Sequence, residues 1–289
     1  MNIIDSHIHL WDIKNNYNQW IFSSDTFKAI QQSFTLDSVK ASLNHALKGI
    51  VHIEAHDSKT DTLKETQWLI NEAQKHPDIE LKIIAFADIL QPTNHFKQSI
   101  ERLLTYPEII GIRHILAHQP SANYNPLEFD ETNNPNLIKN LQLLAEYNLI
   151  FEAQFYPKQW LKLAPYLEKF TTKIMLEHFG LPIMDHDSEF HRWAKAIKSL
   201  KSIESVYVKV SGLTMFKAGF TLDELDNLLS YLIETIGTER LVYGSNFPVD
   251  YNQNYSNWFN QLNQANLTEQ QKQKLFFDNA NAFYEFNLK

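Results

Sequence analysis

Apolar residues fall into two alternating patterns along the chain. Short apolar runs rich in Ile, Val, Phe and Tyr occur at Asn2–His9, Gly49–Ala55, Lys82–Asp88, Ile109–Leu116, Leu149–Phe155, Thr172–His178, Ser205–Ser211 and Arg240–Asn246. Their length and composition predict strands. Most are nearly continuous apolar sequence, as parallel strands buried on both sides should be. Between them lie longer stretches with helical spacing. Thr221–Ile236 is the clearest, with Leu222, Leu225, Leu228, Leu229, Leu232 and Ile236 on one stripe. Thr221 and Glu224 form a capping box there, and Gly237 can end the helix. Thr62 with Glu65 predicts a second capped helix, with Leu63, Trp68, Leu69 and Ala73 inward. Thr268 with Gln271 opens the last helix; Asn136–Tyr147 and Pro157–Phe170 are further helices.

Strand–helix alternation implies parallel pairing through right-handed crossovers. Eight such units predict an α/β fold of the (β/α)8 TIM-barrel type, with the active site at the carboxyl-terminal ends of the strands. An open doubly wound sheet would usually carry a glycine-rich phosphate turn after the first strand. Here that place holds HIHLWD, and the chain has seven glycines in all. No low-complexity linker divides the sequence, so residues 1–289 are read as a single domain. Two longer connections, Trp11–Thr35 and His118–Pro135, follow the first and fourth strands, where barrel enzymes shape specificity.

Composition narrows the function. Hydrophobic residues make up 44% of the chain, which argues against disorder. The net charge of −8 disfavours nucleic acid and anionic membranes as partners. A small-molecule substrate is expected; a homodimer is allowed, and the oligomeric state stays open. There is no cysteine, so any metal must be held by His, carboxylate or carbonyl groups. The start, MNIIDSHIHLWD, lacks a secretion-signal pattern, and no apolar run is long enough to span a membrane. A cytoplasmic protein is expected.

The chemistry concentrates at strand ends. Alternation puts Asp5, His7 and His9 on one face of the first strand. Two imidazoles so placed can converge on one ion. With 12 His in 289 residues, about half of one His-x-His pair is expected by chance, so position rather than the pair carries the signal. His178 ends the sixth strand on the same rim and can complete a metal site or polarise a substrate carbonyl. Gly244 removes bulk near the barrel axis, and Asn246 points toward the mouth. His52 with His56, and His114 with His118, are four apart but on strands or just beyond, where that spacing makes no metal pair. The cluster from Asp185 to His191 reads as the start of a helix with a solvated face.

Together these segments resemble the amidohydrolase-related barrel hydrolases, in the branch with sugar lactonases and 2-pyrone-4,6-dicarboxylate lactonase. DSHIHLWD resembles the branch's opening motif. GIRHIL (Gly111–Leu116), LEHFGLP (Leu176–Pro182), YVKVSGL (Tyr207–Leu213) and YGSNFPVD (Tyr243–Asp250) resemble its fourth, sixth, seventh and eighth strands. The resemblance implies His7, His9 and His178 as metal or carbonyl-polarising residues, a divalent metal such as zinc, and Arg113 and His114 as substrate-binding groups. It also implies that some relatives work without metal, and makes Lys209 a structural or pocket lysine. Two departures matter. The family usually has Asp where this chain has Asn246, and an amide cannot carry a proton as a carboxylate does. Leu181 stands where lysine is common, implying altered substrate charge or loop packing. Another base is then needed: Glu54 near the end of the second strand, Asp250, His178 or His114. Trp11, Trp20 and Tyr17 in the first loop are placed to stack on a substrate ring, although burial of that loop explains them equally well. The leading expectation is hydrolysis of a small lactone. The alternatives are a barrel decarboxylase of an aromatic acid using the same histidines, and a non-catalytic ligand-binding barrel, which Asn246 favours.

Overall fold

The computed structural model describes all residues of the chain except 16–17, 43–45, 57–60, 123, 218 and 251–254. Tyr17 lies outside the described residues. The eight apolar runs become strands β1 (Asn2–Ile8), β2 (Ala46–Ile53), β3 (Glu80–Phe86), β4 (Ile109–Arg113), β5 (Ile150–Ala153), β6 (Ile174–Leu176), β7 (Val206–Val210) and β8 (Leu241–Tyr243). They pair in parallel, in sequence order, in one sheet. The ring is brought together just beyond β8. His9 N–H donates to Phe247 O (2.8 Å), and Asn246 N–H donates to His7 O (2.7 Å). The barrel is nearly closed, and the joining bonds lie at the strand ends where the candidate residues sit.

Helices cover the outside: α1 (Leu36–Ala41), α2 (Thr62–Ala73), α3 (Thr93–Leu103), α4 (Pro135–Glu146), α5 (Pro157–Leu167), α6 (Asp187–Ser199), α7 (Leu222–Ile236) and α8 (Ser256–Gln264). Shorter helices α9 (Glu269–Gln273) and α10 (Asn279–Phe283) follow. In α7 the Thr221–Glu224 box forms, and Leu225, Leu228, Leu229, Leu232 and Ile236 are buried. Leu222 is exposed, because it opens the helix at the edge of that face. The Thr268–Gln271 box also forms. The box expected at Thr62 does not. Asp61 caps α2 instead, accepting from Leu63 N–H (3.1 Å). Glu65 turns inward, where it serves the site described below.

The barrel floor is closed from the amino-terminal side by the end of the chain. Phe277, Ala280, Phe283, Tyr284 and Phe286 pack on Ile4, Val51, Ile53, Ile84, Ile150, Met175 and Val242. Inside this apolar layer sits a fully buried ion pair, Lys209 Nζ to Glu152 Oε2 (2.8 Å). Tyr284 OH donates to the other oxygen, Glu152 Oε1 (2.7 Å). Lys209 is therefore part of the barrel interior and does not line the cavity above it. Removing one member of a buried pair strands the other charge. Lys209→Ala is expected to cost about 3–5 kcal/mol, read as a fall in thermal midpoint.

Candidate active site

Strand β1 delivers two imidazoles to the rim. His7 Nε2 and His9 Nε2 stand 3.2 Å apart. Asp5 does not join them as a donor. Its carboxylate accepts from His7 N–H (3.1 Å), Ser245 N–H (2.9 Å) and Tyr255 OH (2.6 Å), tying β1 to the chain beyond β8. His178 arrives from the end of β6, its ring centroid 4.7 Å from that of His7. Two glycines make the space. A Cβ at Gly244 would lie 2.6 Å from His7 Cβ, and one at Gly212 would lie 2.4 Å from His178 Nδ1.

Two of the imidazoles hydrogen-bond through Nδ1, and the third, His7, turns its Nδ1 toward a carboxylate without a hydrogen bond. His9 Nδ1 lies 2.8 Å from Ile53 O, so it is the protonated nitrogen. His178 Nδ1 lies 2.9 Å from Ser211 Oγ, and His7 Nδ1 lies 3.6 Å from Glu177 Oε1. This is the outer-shell pattern that orients metal-bound histidines. For His9 it leaves the Nε2 lone pair free. The 3.2 Å between His7 and His9 Nε2 is close to the roughly 3.3 Å edge of a tetrahedron with 2.0–2.1 Å Zn–N bonds. Burial, with the Arg113 cation and, for His7 and His178, Lys209, pushes all three imidazoles well below their ordinary pKa. Neutral imidazole is the ligating form. The residues therefore fit a divalent cation.

Glu177 was missed as a site residue in the sequence, although it lies within a quoted motif. Alternation from His178 would point it away. The chain leaves the extended conformation there, with φ of 51° at His178, 57° at Phe179 and 54° at Leu181. Both side chains consequently face inward. Glu177 is fully buried, and its Oε2 has no hydrogen-bond partner, lying 3.8 Å from His178 Nε2. One donor atom each from His7, Glu177 and His178 lies within 4.8 Å of the others. The available signal was an acidic residue closing an apolar strand, which burial alone does not favour. A second group, Asp37, Glu72 and His76, also clusters. There Glu72 already accepts from Leu36 N–H (3.2 Å) and pairs with Lys75 (2.5 Å), which accounts for it without an ion.

Arg113 and Glu54 stand beside the imidazoles. Arg113 Nε donates to Glu54 Oε1 (2.9 Å), Nη2 to Glu54 O (2.7 Å), and Nη1 to Glu177 Oε1 (3.4 Å). Burial raises the Glu54 carboxyl above its ordinary value despite the adjacent guanidinium. A carboxylate so raised is a stronger base near neutral pH. Behind it, Glu65 accepts from Ala55 N–H (2.9 Å) and pairs with His52 Nε2 (3.3 Å) and His56 Nδ1 (3.4 Å). The two histidines four residues apart thus share a carboxylate.

Burial would raise the Glu65 carboxyl, but bonding and charge from His52 and His56 outweigh it and hold it at about 2. Its ordinary value is 4.5, so its stabilisation is complete above pH 4.5 and is lost as pH falls toward 2. The expected loss over that window is about 3 kcal/mol in denaturant titrations, and Glu65→Gln should remove this part of the pH dependence.

A cavity of about 640 Å³ opens above these groups. His9, Glu54, Arg113, His178 and Asn246 line it; His7 sits fully buried behind His9. Tyr124 and Gln154, not singled out from sequence, line it as well. Tyr124 OH donates to Gln154 Oε1 (3.3 Å). Asn246 takes a left-handed φ of 54°, which asparagine tolerates, and its Nδ2 donates to Met215 Sδ (3.3 Å). Three expected residues lie elsewhere. Trp11 is fully buried, donates to Gln32 O (2.7 Å) and packs under Trp20, which takes the wall position instead. His114 comes just after Arg113, beyond the end of β4, and faces the other side, 3.3 Å from Asp88 Oδ1. Asp250 is buried outside the lining, its amide bonded to Asn246 O (2.9 Å). The Asp185–His191 segment begins α6, as expected.

A nearly closed eight-stranded barrel with histidines at its carboxyl-terminal rim defines a class. A model of the Amidohydrolase family matches residues 4–286, and the chain belongs to that family. An uncharacterized protein, y4mH, of Sinorhizobium fredii is 28% identical over 98% of both chains. L-fucono-1,5-lactonase of Burkholderia multivorans is 21% identical over 85% of this chain and 82% of its own. A solved amidohydrolase from Burkholderia multivorans with bound zinc has the same fold, with a TM-score of 0.79 at 19% identity over 99% of both chains. No helix among the described residues is long and apolar enough to cross a membrane.

Proposed function

We propose that this protein hydrolyses a small cyclic ester by attack of water on its carbonyl. The observation that carries this reading is the cluster of His9 and His178 with the Glu54–Arg113 pair in one cavity, with His7 against both imidazoles just behind the lining. His7, His9 and His178 would hold a divalent metal, zinc being suited to the nitrogen donors, and such a metal polarises a carbonyl and acidifies water. The protein's own groups do the rest. Arg113 has five guanidinium hydrogens, more than its bonds to Glu54 and Glu177 use, and orients the ester end. Glu54 takes the proton from the attacking water. It then returns that proton to the ring oxygen as the carbon–oxygen bond breaks, so protons balance. Asn246 offers a donor held only by a thioether, a weak acceptor, which a substrate oxygen can displace.

The lactonase match among curated relatives supports this reading. The test is a lactone panel followed by acid release, with carbon dioxide measured in parallel. Acid release supports hydrolysis. Carbon dioxide from an aromatic acid would instead establish a decarboxylase, and tight binding without turnover a ligand-binding barrel. Asn246→Asp is expected to raise zinc affinity about tenfold or more by adding charge at the rim. An unchanged affinity and rate would place residue 246 outside the reacting centre.

A further inference from the structure

Resting on that hydrolase reading, the geometry points to an uncharged lactone carrying an apolar substituent, rather than a sugar lactone or a carboxylated one. The cavity is divided by height. Strand ends supply its floor, with His9, Glu54, Arg113, His178 and Asn246. Residues further along the connections after the strands supply its walls, and these are largely apolar: Trp20, Phe27, Ile30, Ile115, Met215 and Val249. An ester ring placed on the floor meets donors and the base. Whatever projects from it toward the mouth meets aromatic and aliphatic surface.

Charge excludes one class of substrate. Among the described lining residues, Arg113 is the one permanent cation. It is already held by Glu54 at 2.9 Å and by Glu177 at 3.4 Å. A substrate carboxylate near it would approach two buried carboxylates. Leu181, where relatives of this branch often carry lysine, is fully buried with Ala117 and Tyr156, and adds no charge. Hydroxyl count excludes another. Trp20 Nε1 is taken by Ala55 O (2.6 Å), and Tyr124 OH by Gln154 (3.3 Å). A polyol ring would set several hydroxyls against mostly apolar walls, where Thr26, Thr214 and Gln154 are among the polar lining groups, at a cost for each hydroxyl left unpaired. An alkyl or aryl substituent gains from the same surface.

Three six-membered lactones test this on the protein supplied with one equivalent of zinc: dihydrocoumarin (neutral, aryl-fused), D-glucono-1,5-lactone (neutral polyol) and 2-pyrone-4,6-dicarboxylate (dianion). Initial rates, corrected for spontaneous opening, give kcat/KM for each. We expect dihydrocoumarin to exceed both others at least tenfold. Ile115→Lys, which puts a cation on the wall, should raise the dicarboxylate and lower dihydrocoumarin, each several-fold. Preference for the polyol or the dianion would overturn the inference and leave the hydrolase reading standing. Turnover of none of the three, with no thermal shift on adding any, would remove that reading and this inference with it.

Discussion

His178→Ala is expected to lower kcat/KM by roughly 10²–10³-fold or more, the scale of losing one electrostatic contact at developing charge. The barrel should survive. His178 stands at the rim on a turn, bonded to Ser211, and the apolar floor beneath is built by other residues. Thermal unfolding close to that of the parent, with unchanged helix signal, would separate the chemical loss from a folding loss. Unchanged kinetics would remove His178 from the site.

Glu177→Gln should weaken zinc binding about 10- to 100-fold, the range for removing an outer-shell partner of a ligating histidine. The change keeps shape and removes charge. Glu177 sits 3.6 Å from His7 Nδ1, 3.8 Å from His178 Nε2 and 3.4 Å from Arg113 Nη1. With a neutral amide there, Arg113 would lose one of its two carboxylates while remaining beside the imidazoles. Competition titration with a chromophoric chelator reads the affinity directly, whether or not a substrate is known. Equal affinity in parent and variant would show that Glu177 supports the barrel and not the ion.

Much of this was legible in the sequence. The eight strands announced themselves because parallel strands buried on both sides leave continuous apolar runs. The rim residues His7, His9, His178, Glu54 and Asn246 followed from their places at strand ends and Arg113 from the family resemblance, and five of these six line the cavity. The misreadings have local causes. His114 was taken together with Arg113, although consecutive strand residues face opposite ways. Trp11 and Trp20 were both placed to stack on a substrate or be buried with the loop; the first connection buries Trp11 and presents Trp20. Glu65 matched a capping box, yet the buried His52 and His56 draw its carboxylate inward. Glu177 was hidden because four successive left-handed residues, His178 to Leu181, break the alternation just where it matters. No periodicity rule carries that information. Tyr124 and Gln154 come from a long connection and from just beyond β5, and only the folded chain brings them together.

The neutral imidazoles, the hydrogen bonds on Nδ1 of His9 and His178 and the spacing of two Nε2 atoms argue for one thing: a cation seat shared by the ends of β1 and β6. Crystals grown with zinc and measured on both sides of its absorption edge test this most directly. The expected result is one anomalous peak within bonding distance of His7 Nε2 and His9 Nε2, with His178 completing the donors. A peak only at Asp37, Glu72 and His76, or none at full zinc occupancy in solution, would contradict it.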